Sequence, residues 1–362
     1  MGKKVVVAMS GGVDSSLAAA LLVEQGYEVI GVMLRLWAEP SCGITSANAC
    51  CTPEAEADAR AVAAMLGIPF HTLDAAEPFK THVVDYFIDT YLRGMTPNPC
   101  LRCNRHIRLG VLYRHARALG ADYLATGHYV RIRQHPDGTY QLLRGVDPRK
   151  DQSYVLYMVT QEHLAHLLFP LGEWTKDRVR AMARERGLPT ASRAESQDLC
   201  FVRDGDYRRF LKEWTNGAIR PGPIMRRDGT VLGTHQGLPF YTIGQRKGLG
   251  LSFSEPLYVI DLDPERNAVI VGTREELGRD RAWVDEVHWI AGTPPTRPLR
   301  VHVKIRYRAR EAPATLIPVG PTRAYIRFDE RLRDITPGQG AVFYRGDVCL
   351  GGGILAREEF VL

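Results

Sequence analysis

A run of seven residues, Ser10-Gly11-Gly12-Val13-Asp14-Ser15-Ser16, constrains this chain more than any other feature. It follows an apolar stretch of strand length at residues 5–9. It leads into residues 15–25, where Leu17, Ala18, Leu21 and Leu22 share one helical face before Gly26 stops the pattern. A strand that turns through two glycines into a helix builds a cradle for an anion. Glycine lets the backbone come close, successive N–H groups form a nest, and the helix N-terminus adds partial positive charge. Ser10, Ser15 and Ser16 offer hydroxyls to phosphate oxygens, and an acid beside phosphates, Asp14, has Mg2+ as its natural partner. The run is neither a Walker A loop, which needs Gly-Lys-Ser/Thr, nor the Rossmann Gly-x-Gly-x-x-Gly. A plain strand-to-helix turn is the bland alternative, and the full run in this context argues against it.

The flanking pattern extends the same architecture. Strand-like stretches at 27–36, 70–73 and 122–126 alternate with helical ones at 53–66, 78–92 and 104–119. Such alternation predicts a parallel sheet with right-handed crossovers. A hairpin is expected over 131–144 around Asp137-Gly138, then helices over 161–168 and 175–186. Beyond about residue 205 glycine and proline punctuate short alternating runs at 257–261, 268–271, 299–307, 323–328 and 340–344. That is all-β patterning. The expected organisation is an α/β phosphate-loop domain over 1–205, a small central domain over 206–280 and a C-terminal β-barrel over 281–362.

The chain has 362 residues, 47 Lys and Arg against 41 Asp and Glu, and a net charge of +6. Placement says more than the total. Residues 297–333 hold ten basic side chains and three acids, and residues 101–117 hold five arginines, two histidines and no acid. Such stretches suit a polyanionic partner, though a solvated face accounts for charge alone equally well. No apolar run is long enough to span a membrane, and Met1-Gly2-Lys3-Lys4 runs straight into a strand, so a cytoplasmic protein is expected. Seven cysteines, an odd number, argue against a secreted disulfide framework and for catalytic or metal-binding thiols.

Cys100 and Cys103 form a single CxxC in Thr96-Pro97-Asn98-Pro99-Cys100-Leu101-Arg102-Cys103-Asn104. With a helix expected from residue 104, Cys103 adjoins its N-terminus beside Arg102 and Arg105, and both features favour thiolate over thiol. Cys200, in Gln197-Asp198-Leu199-Cys200-Phe201, reads by itself as packing. A lone CxxC is half of a zinc site, and no second one accompanies it.

Together the loop and the cysteine segments carry a resemblance. SGGVDSS resembles the PP-loop of the ATP pyrophosphatases, which cleave ATP to AMP and pyrophosphate. Within that superfamily the chain is similar to the tRNA-specific 2-thiouridylases (the MnmA family). The likeness runs along the whole chain: TPNPCLRCN at 96–104, ATGHY at 125–129, KDQSY at 150–154, QDLCF at 197–201, GQRKGLG at 244–250, KIRYR at 304–308, PGQGAVFY at 337–344 and CLGGG at 349–353. The resemblance implies ATP-dependent replacement of the C2 oxygen of the wobble uridine by sulfur in tRNAs for Lys, Glu and Gln. It implies ATP with Mg2+ at Ala8, Met9, Ser10, Gly11, Gly12, Val13, Asp14 and Ser15, with Leu34 and Gly127 contacting the nucleotide through backbone groups. Asn98, Pro99 and Cys100 correspond to the segment beside the target base. His128, Lys150, Asp151, Gln152, Arg306, Tyr307 and Gln339 correspond to tRNA contacts. Cys200 is implied as the persulfide carrier and Cys103 as the nucleophile that attacks it, leaving a transient disulfide. A persulfide- or sulfide-donor protein is the further partner.

Many members of the family have Asp where this chain has Cys100. Two sulfur routes therefore stay open at this point: the persulfide pair, or a [4Fe–4S] cluster held by Cys100, Cys103 and Cys200 with one iron left open. Cys42, Cys50 and Cys51 admit a sulfur relay or incidental burial, and Cys349 reads as barrel packing. Two rival classes are an amide-forming synthetase on the same loop, which needs neither CxxC nor a basic β domain, and a tRNA-binding protein that uses ATP only structurally.

Overall fold

Val5, Val6 and Val7 are wholly buried, each contributing about 1.5–3 kcal/mol by leaving water. They mark the centre of a five-stranded parallel sheet. A computed structural model describes residues 2–39, 52–193, 199–202, 204–253 and 255–357. The sheet comprises β1 (Lys4–Ala8), β2 (Glu28–Arg35), β3 (Phe70–Asp74), β4 (Tyr123–Ala125) and a short strand at Leu167–Leu168, in the order β3-β2-β1-β4 and then that last strand. Every neighbour is parallel. Helix α1 (Val13–Glu24) lays Leu17, Ala18, Ala19 and Leu22 against it, and the alanines allow close approach. Helix α2 (Pro53–Met65) starts at a proline under a Thr52 cap. Two long helical runs follow, α3 over 76–92 and α4 over 99–118, each interrupted by a π segment, at Lys80–Asp85 and Cys103–Leu112. Helix α5 (Lys176–Glu185) packs against α1 through Val179, Met182 and Ala183.

The expected helix over 161–168 stops at Ala165, and Leu167–Leu168 joins the sheet edge instead. The expected hairpin is present as β5 (Val130–Gln134) and β6 (Tyr140–Arg144). A helix at Tyr207–Trp214, absent from the sequence reading, follows the phosphate-loop region under an Asp206 cap. Central strands β7 (Gly222–Met225), β8 (Val231–His235), β9 (Tyr258–Asp263) and β10 (Ala268–Gly272) form a four-stranded sheet. The C-terminal barrel closes six antiparallel strands: β11 (Arg279–Trp289), β12 (Leu299–Lys304), β13 (Ala312–Pro318), β14 (Ala324–Leu332), β15 (Gly340–Arg345) and β16 (Val348–Leu355), with β11 paired to both β14 and β16. Its interior is Val284, Val303, Leu316, Ile326 and Phe343. β6 pairs with β16, so the hairpin of the first unit extends the barrel sheet. One apolar cluster runs from Val6 through Ile224 and Val269 to Val342 and Tyr344, joining all three sheets.

Candidate active site

Gly11 at φ +69° and Gly12 as the N-cap of α1 shape the phosphate loop. A Cβ on Gly11 would run into the Ala55 carbonyl oxygen, so only glycine fits there. The Ser15 hydroxyl accepts from the Ser10 N–H at 3.1 Å and donates to the Gly12 carbonyl at 3.1 Å. Ser10 is exposed at the loop crest. The expectation that Ser16 offers its hydroxyl to phosphate is not met: it is fully buried and donates to the Gly12 carbonyl at 2.9 Å. Ala8, Met9, Val13 and Leu34 have buried side chains and present only backbone to a ligand. Gly127, just past β4, lies against the first turn of α1. A Cβ there would be 2.9 Å from the Asp14 carbonyl carbon and 3.0 Å from the Ser15 nitrogen.

Asp14 is held by residues that sequence reasoning missed. Lys176 Nζ bonds both carboxylate oxygens at 2.7 and 2.8 Å, and the Tyr129 hydroxyl donates to Oδ1 at 2.6 Å. Tyr129 lies in the ATGHY motif and was available as a signal. Lys176 opens an ordinary amphipathic helix 162 residues from Asp14, and nothing local marks it. One carboxylate beside phosphates is the usual protein contribution to a Mg2+ site, and Asp14 fits that role.

Helix α4 begins at Pro99, with extended Asn98 as its N-cap, five residues earlier than expected. Cys100 is therefore an exposed first-turn residue, and Cys103 lies a full turn inside, half-buried at the start of the π segment. Arg102 makes two bonds to Glu286 at 2.8 and 2.7 Å and stacks over Tyr86 at 4.2 Å, while Arg105 approaches the same carboxylate at 3.5 Å. Glu286 sits in a bulge of β11 at φ +50°, which aims it at the helix.

Cys103, Leu199 and Cys200 border the same apolar cluster. Phe201 anchors the Cys200 segment there, with its ring 5.2 Å from Phe87 and 5.6 Å from Phe210. Among the described residues, no three His, Cys, Asp or Glu side chains are arranged to hold a metal ion. Of the three cysteines read as the alternative cluster ligands, Cys100 is exposed, and Cys103 and Cys200 are half-buried against the core. Cys42, Cys50, Cys51, Gln197 and Asp198 lie outside the described residues. Cys349 is buried in the barrel sheet, and burial pushes its thiol up to about 12.

The barrel grips the cysteine loop. Thr96 N–H donates to the Pro337 carbonyl at 2.9 Å, and Gln339 Nε2 donates to the Thr96 and Pro97 carbonyls at 3.0 and 3.1 Å. Beneath Asn98, the Tyr154 hydroxyl donates to the Gly340 carbonyl at 3.1 Å. Arg306 bonds the Ile243 carbonyl and the Thr336 hydroxyl and sits 3.7 Å from Asp334. Exposed Tyr307 lies 6.0 Å from the Tyr154 ring. Asn98, Pro99, Cys100, Arg306, Tyr307 and Gln339 are thereby brought together.

The second group of residues matched to tRNA contacts is more internal. Asp151 is buried and accepts from the Gly145 and Ser153 N–H groups and the Ser153 hydroxyl. Gln152 exchanges two bonds with the Tyr129 backbone, and Lys150 is half-buried beside it. His128 bonds Thr126 Oγ1 at 2.7 Å; burial, with the Arg108 guanidinium, pushes its imidazole down to about 3, so it is neutral at pH 7.

Comparison with known proteins covers this whole framework. Residues 3–204 match the tRNA methyl transferase HUP domain, 208–273 the tRNA methyl transferase PRC-barrel domain, and 279–355 the aminomethyltransferase beta-barrel domain. The chain is 53% identical over 351 residues to the tRNA-specific 2-thiouridylase MnmA of Moorella thermoacetica, covering 97% of this chain and 98% of that protein. It is 50% identical over 355 residues to the protein of the same name from Chloroflexus aurantiacus, covering 98% and 99%. Likeness at this level spans the phosphate loop, the cysteine helix and the barrel that clamps it, and the chain belongs to the tRNA-specific 2-thiouridylase family.

Proposed function

We propose that the chain is an ATP-dependent tRNA sulfurtransferase that converts the wobble uridine of tRNAs for Lys, Glu and Gln to 2-thiouridine. The observation that supports this reading is the barrel's grip on Thr96 and Pro97, which brings the loop that leads to Cys100 against the barrel edge that carries the Arg306 guanidinium and the exposed Tyr307 ring. Cations meet RNA phosphates and rings stack on splayed bases. Residues 1–205 bind ATP and carry both reacting thiols, 206–280 link, and 281–362 contact tRNA, in the cytoplasm where tRNA is found.

A urea-type C2 oxygen leaves poorly as it stands. It attacks the α-phosphate, a P–O bond forms, the bond to the β-phosphate breaks, and pyrophosphate departs. The nest at residues 10–13 and the α1 N-terminus hold the phosphates, and Asp14 is the residue that would hold Mg2+, whose charge would offset theirs. Cys200 receives a persulfide from a donor protein. Cys103 thiolate attacks its inner sulfur, forming the Cys103–Cys200 disulfide and releasing hydrosulfide, which adds to C2 and expels AMP. Two electrons from a cellular dithiol then restore the thiols.

The test is turnover with ATP, an unmodified tRNA transcript and a persulfide donor, reading AMP and 2-thiouridine. AMP release should require tRNA. Cys103→Ser and Cys200→Ser should each lose 2-thiouridine while still adenylating the tRNA. AMP release at the same rate without tRNA, or 2-thiouridine made by Cys103→Ser, refutes the assignment.

A further inference from the structure

The run Cys349-Leu350-Gly351-Gly352-Gly353 lies in β16 opposite the bulge that carries Glu286. Between the paired residues Asp285 and His288, β11 advances three positions while β16, from Ile354 to Gly352, advances two. The glycines make room for the extra residue. A Cβ on Gly353 would be 2.5 Å from the Asp285 carbonyl oxygen and 3.1 Å from the Val287 Cα, and one on Gly351 would run into the His288 carbonyl oxygen. Buried Val287 fixes the bulge from its other side by donating its N–H to the Thr322 carbonyl at 2.8 Å. Glu286 takes φ +50° within it. The other non-glycine residues at positive φ among the described residues are Asn216 and Asn267, a residue type that tolerates it. A glutamate persists there only where its surroundings hold it.

The cysteine helix holds it. Glu286 accepts two bonds from Arg102 at 2.8 and 2.7 Å, and Arg105 lies 3.5 Å away. The Arg102 side chain is 14% exposed, with its guanidinium seated over the Tyr86 ring. A planar guanidinium paired through two parallel bonds fixes direction as well as distance. His288 bonds the Val159 carbonyl at 2.8 Å, so the bulge meets the first unit twice. Arg102 and Arg105 flank Cys103 along the chain, while Gln339 holds Thr96 and Pro97 on the other side of Cys100. The barrel thus grips the cysteine turn at both ends.

We propose that Glu286 is a positioning residue for sulfur transfer: it sets the first turn of α4 so that the Cys103 thiol meets the Cys200 persulfide in line. This rests on the persulfide reading above. The bond formed joins the Cys103 and Cys200 sulfurs, the persulfide S–S bond breaks, and its electron pair leaves on hydrosulfide. Adenylation uses the phosphate loop, so Glu286 acts on the second half of the reaction alone.

The experiment uses the full chain with ATP, an unmodified tRNA transcript and cysteine persulfide, and follows pyrophosphate release and 2-thiouridine separately. A misplacement of about 1 Å in a reacting group costs about 100-fold in rate, so Glu286→Gln should slow 2-thiouridine formation about 10- to 100-fold. Pyrophosphate release, and the tRNA concentration giving half-maximal rate, should stay within about twofold of wild type. Arg102→Gln should show the same split. Glu286→Gln with Arg102→Gln should lose no more than the worse single variant, because both remove one contact. The double variant leaves no lone buried cation, so it stays readable if Glu286→Gln alone does not fold. Wild-type 2-thiouridine formation in either Glu286 variant overturns the proposal. So does an equal fall in both half-reactions, which marks a merely structural contact, or a raised tRNA requirement at unchanged maximal rate, which marks an RNA contact. Losses that multiply in the double variant also overturn it, since Glu286 would then act other than through Arg102. A Cys103→Ser chain that still makes 2-thiouridine overturns the persulfide reading instead.

Discussion

Gly127→Ala tests how closely the nucleotide site is built. The new Cβ would stand 2.9 Å from the Asp14 carbonyl carbon, 3.0 Å from the Ser15 nitrogen and 3.1 Å from the Asp14 Cβ. Carbon contacts are comfortable at about 3.5–4.0 Å, so something must retreat by about 0.5–1 Å. No rotamer change relieves this, because two of the three atoms are backbone in the first turn of α1. Gly127 cannot retreat freely either: Thr126 N–H donates to the Leu168 carbonyl at 3.2 Å, and β4 is paired on both sides. The first turn of α1 must yield, carrying Asp14 and Ser15 with it. Overpacking of this kind costs about 1–3 kcal/mol, a drop of roughly 2–10 °C in the melting of a domain this size. A shift near 1 Å in a reacting group costs about 100-fold in rate. Tryptophan fluorescence melting and tRNA-dependent AMP release are the assays. A Gly127→Ala chain that melts with wild type and releases AMP within about twofold of it refutes the geometric argument.

Gln339→Ala removes two hydrogen bonds that hold Thr96 and Pro97, worth about 1–2 kcal/mol together, so thiolation should fall about 5- to 30-fold with tRNA affinity unchanged; a matching loss of tRNA affinity by filter binding would make Gln339 an RNA contact instead. His106 stacks on His82 at 4.5 Å, and burial together with that neighbour pushes it down to about 4. Its stabilising contribution is whole above the ordinary imidazole value of 6.5 and is lost as pH falls towards 4, because the unfolded chain binds the proton first. His106→Phe keeps the stack and should flatten urea stability between pH 6.5 and 4 by up to about 1.4 kcal/mol per pH unit, and an unchanged pH profile counts against it. Arg308 and Arg310 are exposed beside Tyr307. Replacing both with Ala should weaken tRNA binding and make the salt slope shallower by about one to two, whereas an unchanged slope leaves them a solvated face. Substitution is the right tool there, since removing the barrel would also strip β16 from β6.

What could be read from the chain alone was whatever a few consecutive residues decide. A strand, two glycines and a helix make an anion cradle in any setting, and Gly11 at positive φ bears that out. Alternating apolar periods set a parallel sheet before a β-barrel for the same local reason. The helix at Tyr207–Trp214 escaped because the turn-rich sequence after it dominated the pattern, although Asp206 is a serviceable cap. The start of α4 was misplaced because Pro99 reads as a loop residue until it is seen at the first helical position. Other features belong to tertiary structure alone. Asp14 meets Lys176 across 162 residues, Arg102 meets Glu286 across 184, and Gln339 meets Thr96 across 243. The first two join side chains common on any protein surface, the third a side-chain amide and a backbone carbonyl, and what makes the charged pairs specific is burial. Packing the sheet, α5 and the barrel together takes Lys176 out of water and leaves Asp14 within reach, and Arg102 likewise settles on Glu286. A charge buried in that way must find its opposite, and which opposite lies near is set by the fold and not by neighbours along the chain.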